Sequence, residues 1–284
     1  MSAPKSASKP ASKSGSKPAV NTVNTERFSA GTFTPDVRRA KSSSILRAQS
    51  KMESLLFLRH GEQQLLSLII PMVMLIGLSL LPGLMEEKNV QQIYPMTLAI
   101  ALMGAAFTGQ AIAVAFDRRY GALKRIGASG VPTWALIGGK VCAVAVVVAV
   151  QVVILTITAA ILGWSPQLSG IGYAVVVGLF GVAAFTSCGL LLGGTLSSEM
   201  VLALSNTVWF IFVGAAVFST MASGLSEGTA QALKFIPSVA LTDGFSAAMN
   251  HGQFDWLAVL ILLGWAIIGT ALTFKFFSFT MDTD

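Results

Sequence analysis

The chain has 284 residues, of which 54% are hydrophobic and only 11% charged, and it carries a net charge of +6. A water-wetted domain has about 25% charged residues, so a soluble globular fold is excluded and the main solvent is lipid. The basic residues fall in two blocks rather than across a surface, which argues against nucleic acid as a partner.

Residues 1–37 open with Lys5, Lys9, Lys13 and Lys17 among Ser, Ala and Pro. Such a segment cannot bury enough apolar surface to offset its ordering entropy, so it reads as a disordered cytosolic tail. No secretory signal is expected, because a short basic start is not followed at once by an apolar run. Over 38–63, Ile45, Ala48, Met52, Leu55 and Leu56 recur at helical spacing, with Arg47, Lys51 and Ser54 on the other side. This predicts an amphipathic interfacial helix lying on the membrane surface and leading into the first span.

Residues 64–284 then hold six stretches long enough to cross a hydrocarbon core of about 30 Å. They fall near Leu65–Leu84, Pro95–Phe116, Ala135–Leu162, Ile171–Leu196, Val201–Ala222 and Trp256–Phe279. Their continuous rather than alternating hydrophobicity predicts an all-α membrane protein, not a barrel. Eleven Lys and Arg precede the first span and four follow the second, whereas the opposite side carries only Lys88 and Lys234. By the positive-inside bias both termini face the cytosol. Between spans five and six, two short apolar pieces flank Pro237 and are too short to cross, which predicts re-entrant or interfacial external helices.

Chemistry is sparse. No Asp or Glu lies near the centre of a span, which counts against an ion-coupled carrier and an intramembrane protease. Lys140 and Lys275 are expected to snorkel to the headgroups. Cys142 and Cys188 lie inside apolar runs without metal-ligand spacing and read as packing residues. No phosphate-cradling glycine loop occurs, so any ATP must be bound by another chain. Small-residue spacings at Gly178, Gly181, Gly189, Gly193 and Gly194 imply close helix packing. The distinctive segment is DRRYGALKRIGASGVPTW, Asp117–Trp134: a short helix with Tyr120, Leu123 and Ile126 three apart among cations, closed by Gly127, Gly130 and Pro132.

Three runs, RHGEQQLLSLIIP (Arg59–Pro71), FDRRYGALKRIGASGVPTW (Phe116–Trp134) and FIPSVALTDGFSAAM (Phe235–Met249), together resemble the permease subunits of ABC type-2 exporters of drugs, lipids and polysaccharides. The resemblance implies a coupling helix in the loop after the second span, seated in a cleft of a cytosolic ABC ATPase subunit. Carried onto this sequence, Tyr120, Leu123 and Ile126 would fill the cleft, and Arg118, Arg119, Lys124 and Arg125 would pair with acidic groups. Glu62 and Glu199 would be supporting contacts.

The reading implied is a non-enzymatic permease of the bacterial inner membrane. It works with a second permease copy or a homologous one, and it holds no cofactor itself, ATP and Mg residing on the partner. Its substrate would be an amphipathic drug, lipid or lipid-linked glycan. Gln110, Asn206, Trp209 and Phe212 are candidates for the substrate path. The alternatives are an ion-coupled carrier or channel acting alone, and a membrane assembly subunit that transports nothing.

Overall fold

The computed structural model describes residues 40–59, 61–80, 90–128, 130–222 and 226–278, with side chains described for all of these except 57–59, 61–66 and 133. The expected N-terminal tail, residues 81–84 of the first expected span, and Glu62 as a side chain lie outside these bounds. Among the described residues every regular element is helical. Helix α1 is Ser42–Arg59, α2 Gly61–Leu80, α3 Val90–Met103, α4 Gln110–Arg119 and α5 Ala122–Ala128. They are followed by α6 Thr133–Ile161, α7 Ile171–Thr195, α8 Ser198–Met221, α9 Glu227–Lys234, α10 Pro237–His251 and α11 Trp256–Phe276.

Five of these stretches are long and apolar enough to cross a membrane: Val90–Arg119, Trp134–Ile161, Leu168–Thr195, Ser198–Met221 and Trp256–Phe276. A shorter apolar helix, Ser67–Leu80, precedes them. The Val90–Arg119 stretch is the central one. It is buried along almost its whole length, from Val90 to Ala115, while the other four turn much of their surface outward. Its α-helical hydrogen bonding is interrupted by a π-helical segment, Gly104–Gly109, all six residues of which are buried.

Glycines decide how the helices approach this central element. A Cβ on Gly189 of α7 would stand 2.6 Å from the Phe107 carbonyl oxygen, and one on Gly193 would collide with that of Ala111. The small-residue spacing in α7 therefore serves packing against the π segment and α4, within one chain. Helix α11 closes on α7 in the same way, Gly269 lying against Ser187. Helix α10 is short, yet Pro237–Thr242 along with Gly244, Phe245 and Ala248 are buried against α3, α7 and α11. The piece expected to be re-entrant is thus packed among the long helices, capped at its end by Gly252 at φ 63°.

Two ends of the bundle can be told apart. At one, the α4–α5 turn, the α7–α8 turn and the end of α11 meet: the Ser278 N–H donates to Gly194 O at 3.0 Å. At the other, the α6–α7 link meets α10 and the start of α3. There Asn250 Nδ2 donates to Gln91 O at 2.7 Å, and Gln91 Nε2 to Ser165 Oγ at 2.9 Å.

Helix α1 packs along α6, at a notch made by Gly138 and Gly139. A Cβ on the first would press on Leu46 and one on the second on Gln49. A helix is present over the stretch expected to be amphipathic, and its described side chains fall in three sectors rather than two. Gln49 and Glu53 are buried against the bundle, Met52, Leu55 and Leu56 are exposed, and Arg47 and Lys51 are exposed on a third side.

Candidate functional site

The basic segment after Phe116 is not a single loop. Helix α4 continues through Asp117, Arg118 and Arg119, so these residues belong to the end of the long central stretch. Tyr120 closes the helix, and Gly121, at φ 68°, supplies the left-handed turn that an L side chain resists. Helix α5 then runs for seven residues. Gly130, at φ 78°, and Pro132 return the chain to α6.

The three-residue ridge is split by this geometry. Leu123 is wholly buried, packed with Val114, Leu136 and Leu190, and Ile126 lies half-buried beside it. Tyr120 is 68% exposed and stacks on Phe116, with ring centroids 5.9 Å apart. Leu123 therefore anchors α5 to the bundle and faces inward.

The four cations also separate. Arg118 is buried, and its Nη1 donates to Gly193 O and Leu196 O, both at 2.9 Å. A cation on the last carbonyls of α7 satisfies acceptors that the helix leaves open and opposes its dipole. Arg118 thus caps the end of α7 from a buried position. Arg119 donates to Ser198 Oγ at 2.9 Å and contacts the Glu199 carboxylate, joining the two turns at the surface. The Arg125 guanidinium folds back on its own turn, donating to Tyr120 O at 3.1 Å, and Lys124 is exposed. The outward set is Arg119, Tyr120, Lys124, Arg125 and Glu199.

Lys140 does not snorkel. It is 3% exposed, and its Nζ donates to Glu53 Oε2 at 3.0 Å and to Asp117 Oδ2 at 2.9 Å. Glu53 and Asp117 come from α1 and α4, and a lysine that finds two carboxylates at the helix junction has no need to reach headgroups. Gln49 donates to the second Glu53 oxygen at 3.0 Å, so that carboxylate is held on both sides. Lys275 is exposed, over the Phe276 ring.

The residues expected along a substrate path do not form one surface. Gln110 and Trp209 are buried and Phe212 is half-buried, whereas Asn206 is exposed and donates only to its own helix, at Leu202 O. Trp209 and Phe212 both face the π segment: a Cβ on Gly104 would stand 3.7 Å from Trp209 Nε1, and Phe212 meets Phe107 edge-on at 5.8 Å.

A family model described as ABC-2 family transporter protein matches residues 43–278, almost the whole described region. The chain belongs to the ABC-2 transporter family. No curated protein and no solved structure matches it. As an ABC-2 chain it is a transport permease of a family that normally works with a cytosolic ATPase subunit, and its long apolar helices make it a multi-pass membrane protein.

Sequence reasoning missed the Glu53–Lys140–Asp117 cluster in this ABC-2 transporter. The pairs are 87 and 23 residues apart, beyond any local pattern. A usable signal was the Gly138–Gly139 pair just before Lys140, which marks a place where another helix comes close.

Proposed function

We propose that this ABC-2 chain is the permease subunit of an ATP-driven exporter. In this reading α2 is the first of six spans, both termini face the cytosol of a bacterial cell, and a separate ATPase binds ATP and Mg. The observation that carries the proposal is the build of α5. A seven-residue helix is fixed from beneath by Leu123 and between two left-handed glycines, and it turns Tyr120, Lys124 and Arg125 outward. Cations needed only for orientation would not require such an anchor. A helix held rigidly on the ends of α4 and α6 passes a push from below directly to the central stretch of the bundle.

Arg119 and Glu199 widen this surface to the α7–α8 turn, so one partner would bear on both hairpins. ATP binding would close the ATPase pair, and rigid displacement of α5 would shift the packed helices between two arrangements, with the energy drawn from the partner. A second permease, identical or homologous, completes the pathway. An amphipathic substrate fits a bundle whose long helices carry no Asp, Glu, Lys, Arg or His beyond their basic end.

The test is co-purification. The detergent-solubilised protein is isolated from the organism that encodes it, and ATPase activity is measured in the eluate. Activity is expected with the unmodified protein and is lost with Tyr120→Asp and with Arg125→Glu, both at exposed positions. Absence of any ATPase from the unmodified protein overturns the exporter reading. Equal retention by both variants overturns only the assignment to α5.

A further inference from the structure

Polar atoms are buried without partners deep in the bundle. The Trp209 indole N–H, Gln151 Oε1 and the hydroxyls of Thr108 and Ser205 make no hydrogen bond, and each of these residues is more than nine-tenths buried. Away from water such groups destabilise a fold. The coupling surface does not use them, and packing does not require them.

Two of them converge on one junction of four elements. Gln151 of α6 donates through Nε2 to Ser67 Oγ of α2 at 2.9 Å, which leaves its Oε1 without a partner. Ser67 in turn abuts Gly104, the first residue of the π segment, where a Cβ would stand 3.1 Å from Ser67 Cβ and 3.7 Å from Trp209 Nε1 of α8. The missing side chain is what lets α2 and the indole approach the same point. Three residues further along the same helices, Phe107 and Phe212 meet edge-on, and Phe185 joins them at 5.7 Å from Phe212. The indole N–H and the Ser67 that holds Gln151 thus come up to the same glycine, with the aromatic residues one turn away, at a π segment, a hydrogen-bonding irregularity that recurs at functional sites.

Charge is absent from this place. No Asp, Glu, Lys, Arg or His occurs in α2 from Ser67 to Leu80, in α3, in the π segment, in α6 after Lys140 or in α8 after Glu199. A phosphate, carboxylate or ammonium brought here would be unpaired.

We propose that the Ser67–Gly104–Gln151–Trp209 junction is an intramembrane binding site for an uncharged amphipath bearing a hydroxyl or carboxamide. The group accepts from Trp209 Nε1–H and donates to Gln151 Oε1, while the apolar body lies against Phe107, Phe185 and Phe212. The assignment rests on the permease reading for why such a molecule would enter the bundle, and it names the class of substrate.

The test uses the full-length protein in lipid nanodiscs, tritiated dodecanamide as probe, and empty nanodiscs to correct for partition into lipid. Saturable binding above the empty discs is expected, and unlabelled dodecane or dodecyltrimethylammonium does not displace it. Trp209→Phe and Gln151→Leu each weaken binding about fivefold or more, the fold-change of one hydrogen bond. The same deletion is then made on the ligand, so that the result does not depend on the variants folding. N,N-dimethyldodecanamide can accept but not donate, so it binds the unmodified protein about fivefold more weakly than dodecanamide. Its affinity is unchanged by Gln151→Leu.

Binding no greater than in empty discs, displacement by dodecyltrimethylammonium, or equal affinity of the two amides overturns the site. The assay contains no ATPase. Its failure leaves the exporter reading standing, and amide binding persists even where no ATPase co-purifies.

Discussion

Lys140 Nζ lies 3.0 Å from Glu53 Oε2, a contact that fixes helix α1 to the long helix α6. The same ammonium reaches Asp117 at 2.9 Å, one residue before the two arginines that end α4. One buried cation therefore joins α1, α4 and α6, the two stems of α5 among them. Met52, Leu55 and Leu56 of the same helix are exposed. A displacement of α5 has to be matched by α1 or has to break an ion pair.

Removing Lys140 is costly because Glu53 is left charged and buried, while Asp117 is part-exposed and can be hydrated. Lys140→Met is expected to destabilise the protein by about 3–5 kcal/mol, read as a lowered melting temperature in detergent and faster proteolysis within α1. Adding Glu53→Gln recovers part of the loss, since Gln49 still satisfies one oxygen and no buried charge remains. A double variant as unstable as the sum of both singles would show that the two residues do not act together.

Adjacent Arg118 and Arg119 should behave oppositely. Arg118→Met removes two donors from the end of α7 and leaves the Gly193 and Leu196 carbonyls open, costing about 1.5–3 kcal/mol as for hydrogen bonds to a charged group. Arg119→Met breaks an exposed pair with Glu199 and one hydrogen bond to Ser198 Oγ, a hydroxyl that keeps Glu199 as a partner, and exposed pairs contribute little to stability. Its melting curve should overlay that of the unmodified protein, and any effect should appear in ATPase association.

The spans were legible because a membrane helix announces itself by composition over some twenty residues, independent of its neighbours. Val90–Arg119 and Ser198–Met221 lie within a few residues of the expected bounds for that reason. The direction of single side chains was not legible. Tyr120, Leu123 and Ile126 share a spacing, but Gly121 turns the chain between the first and the second, so one faces out and one faces in. Lys140 and the π segment depend on partners far away in sequence, Glu53 for one and the α7 glycines for the other. The short helix after the central stretch could be expected from sequence, but separating its buried anchor from its exposed residues required the fold.

The glycines of α7 make a second kind of test. Gly189→Ala places a methyl 2.6 Å from the Phe107 carbonyl oxygen, and because that neighbour is backbone the π segment must move. Destabilisation of about 1–3 kcal/mol is expected, the usual effect of overpacking. Gly172→Ala, near the start of the same helix with nothing within 4 Å, should instead stabilise by up to about 1 kcal/mol through helix propensity. Equal melting temperatures for both would mean that α7 does not pack as closely as its glycines allow.

Asp243 gives a dependence on pH. It lies on α10, outside the five span-length helices, in a shallow recess that Lys234 and Asp255 also line. Burial pushes its carboxyl up from 3.8 to about 6, opposed by Lys234 and reinforced by Asp255, whose own carboxylate caps α11 at Ala258 N. The fold therefore favours the protonated form more than the unfolded chain does. The contribution of Asp243 to stability is greatest below about pH 4, falls as pH rises toward about 6 and is level above. At about 1.4 kcal/mol per pH unit of displacement, ionised Asp243 costs up to about 3 kcal/mol at neutral pH. Asp243→Asn should raise the melting temperature near neutral pH, leave it unchanged near pH ~4, and flatten the curve between. Lys234→Met should act in the other direction, steepening the loss by removing the one cation that favours the carboxylate. A melting curve for Asp243→Asn that runs parallel to the unmodified protein at every pH would place the titration elsewhere.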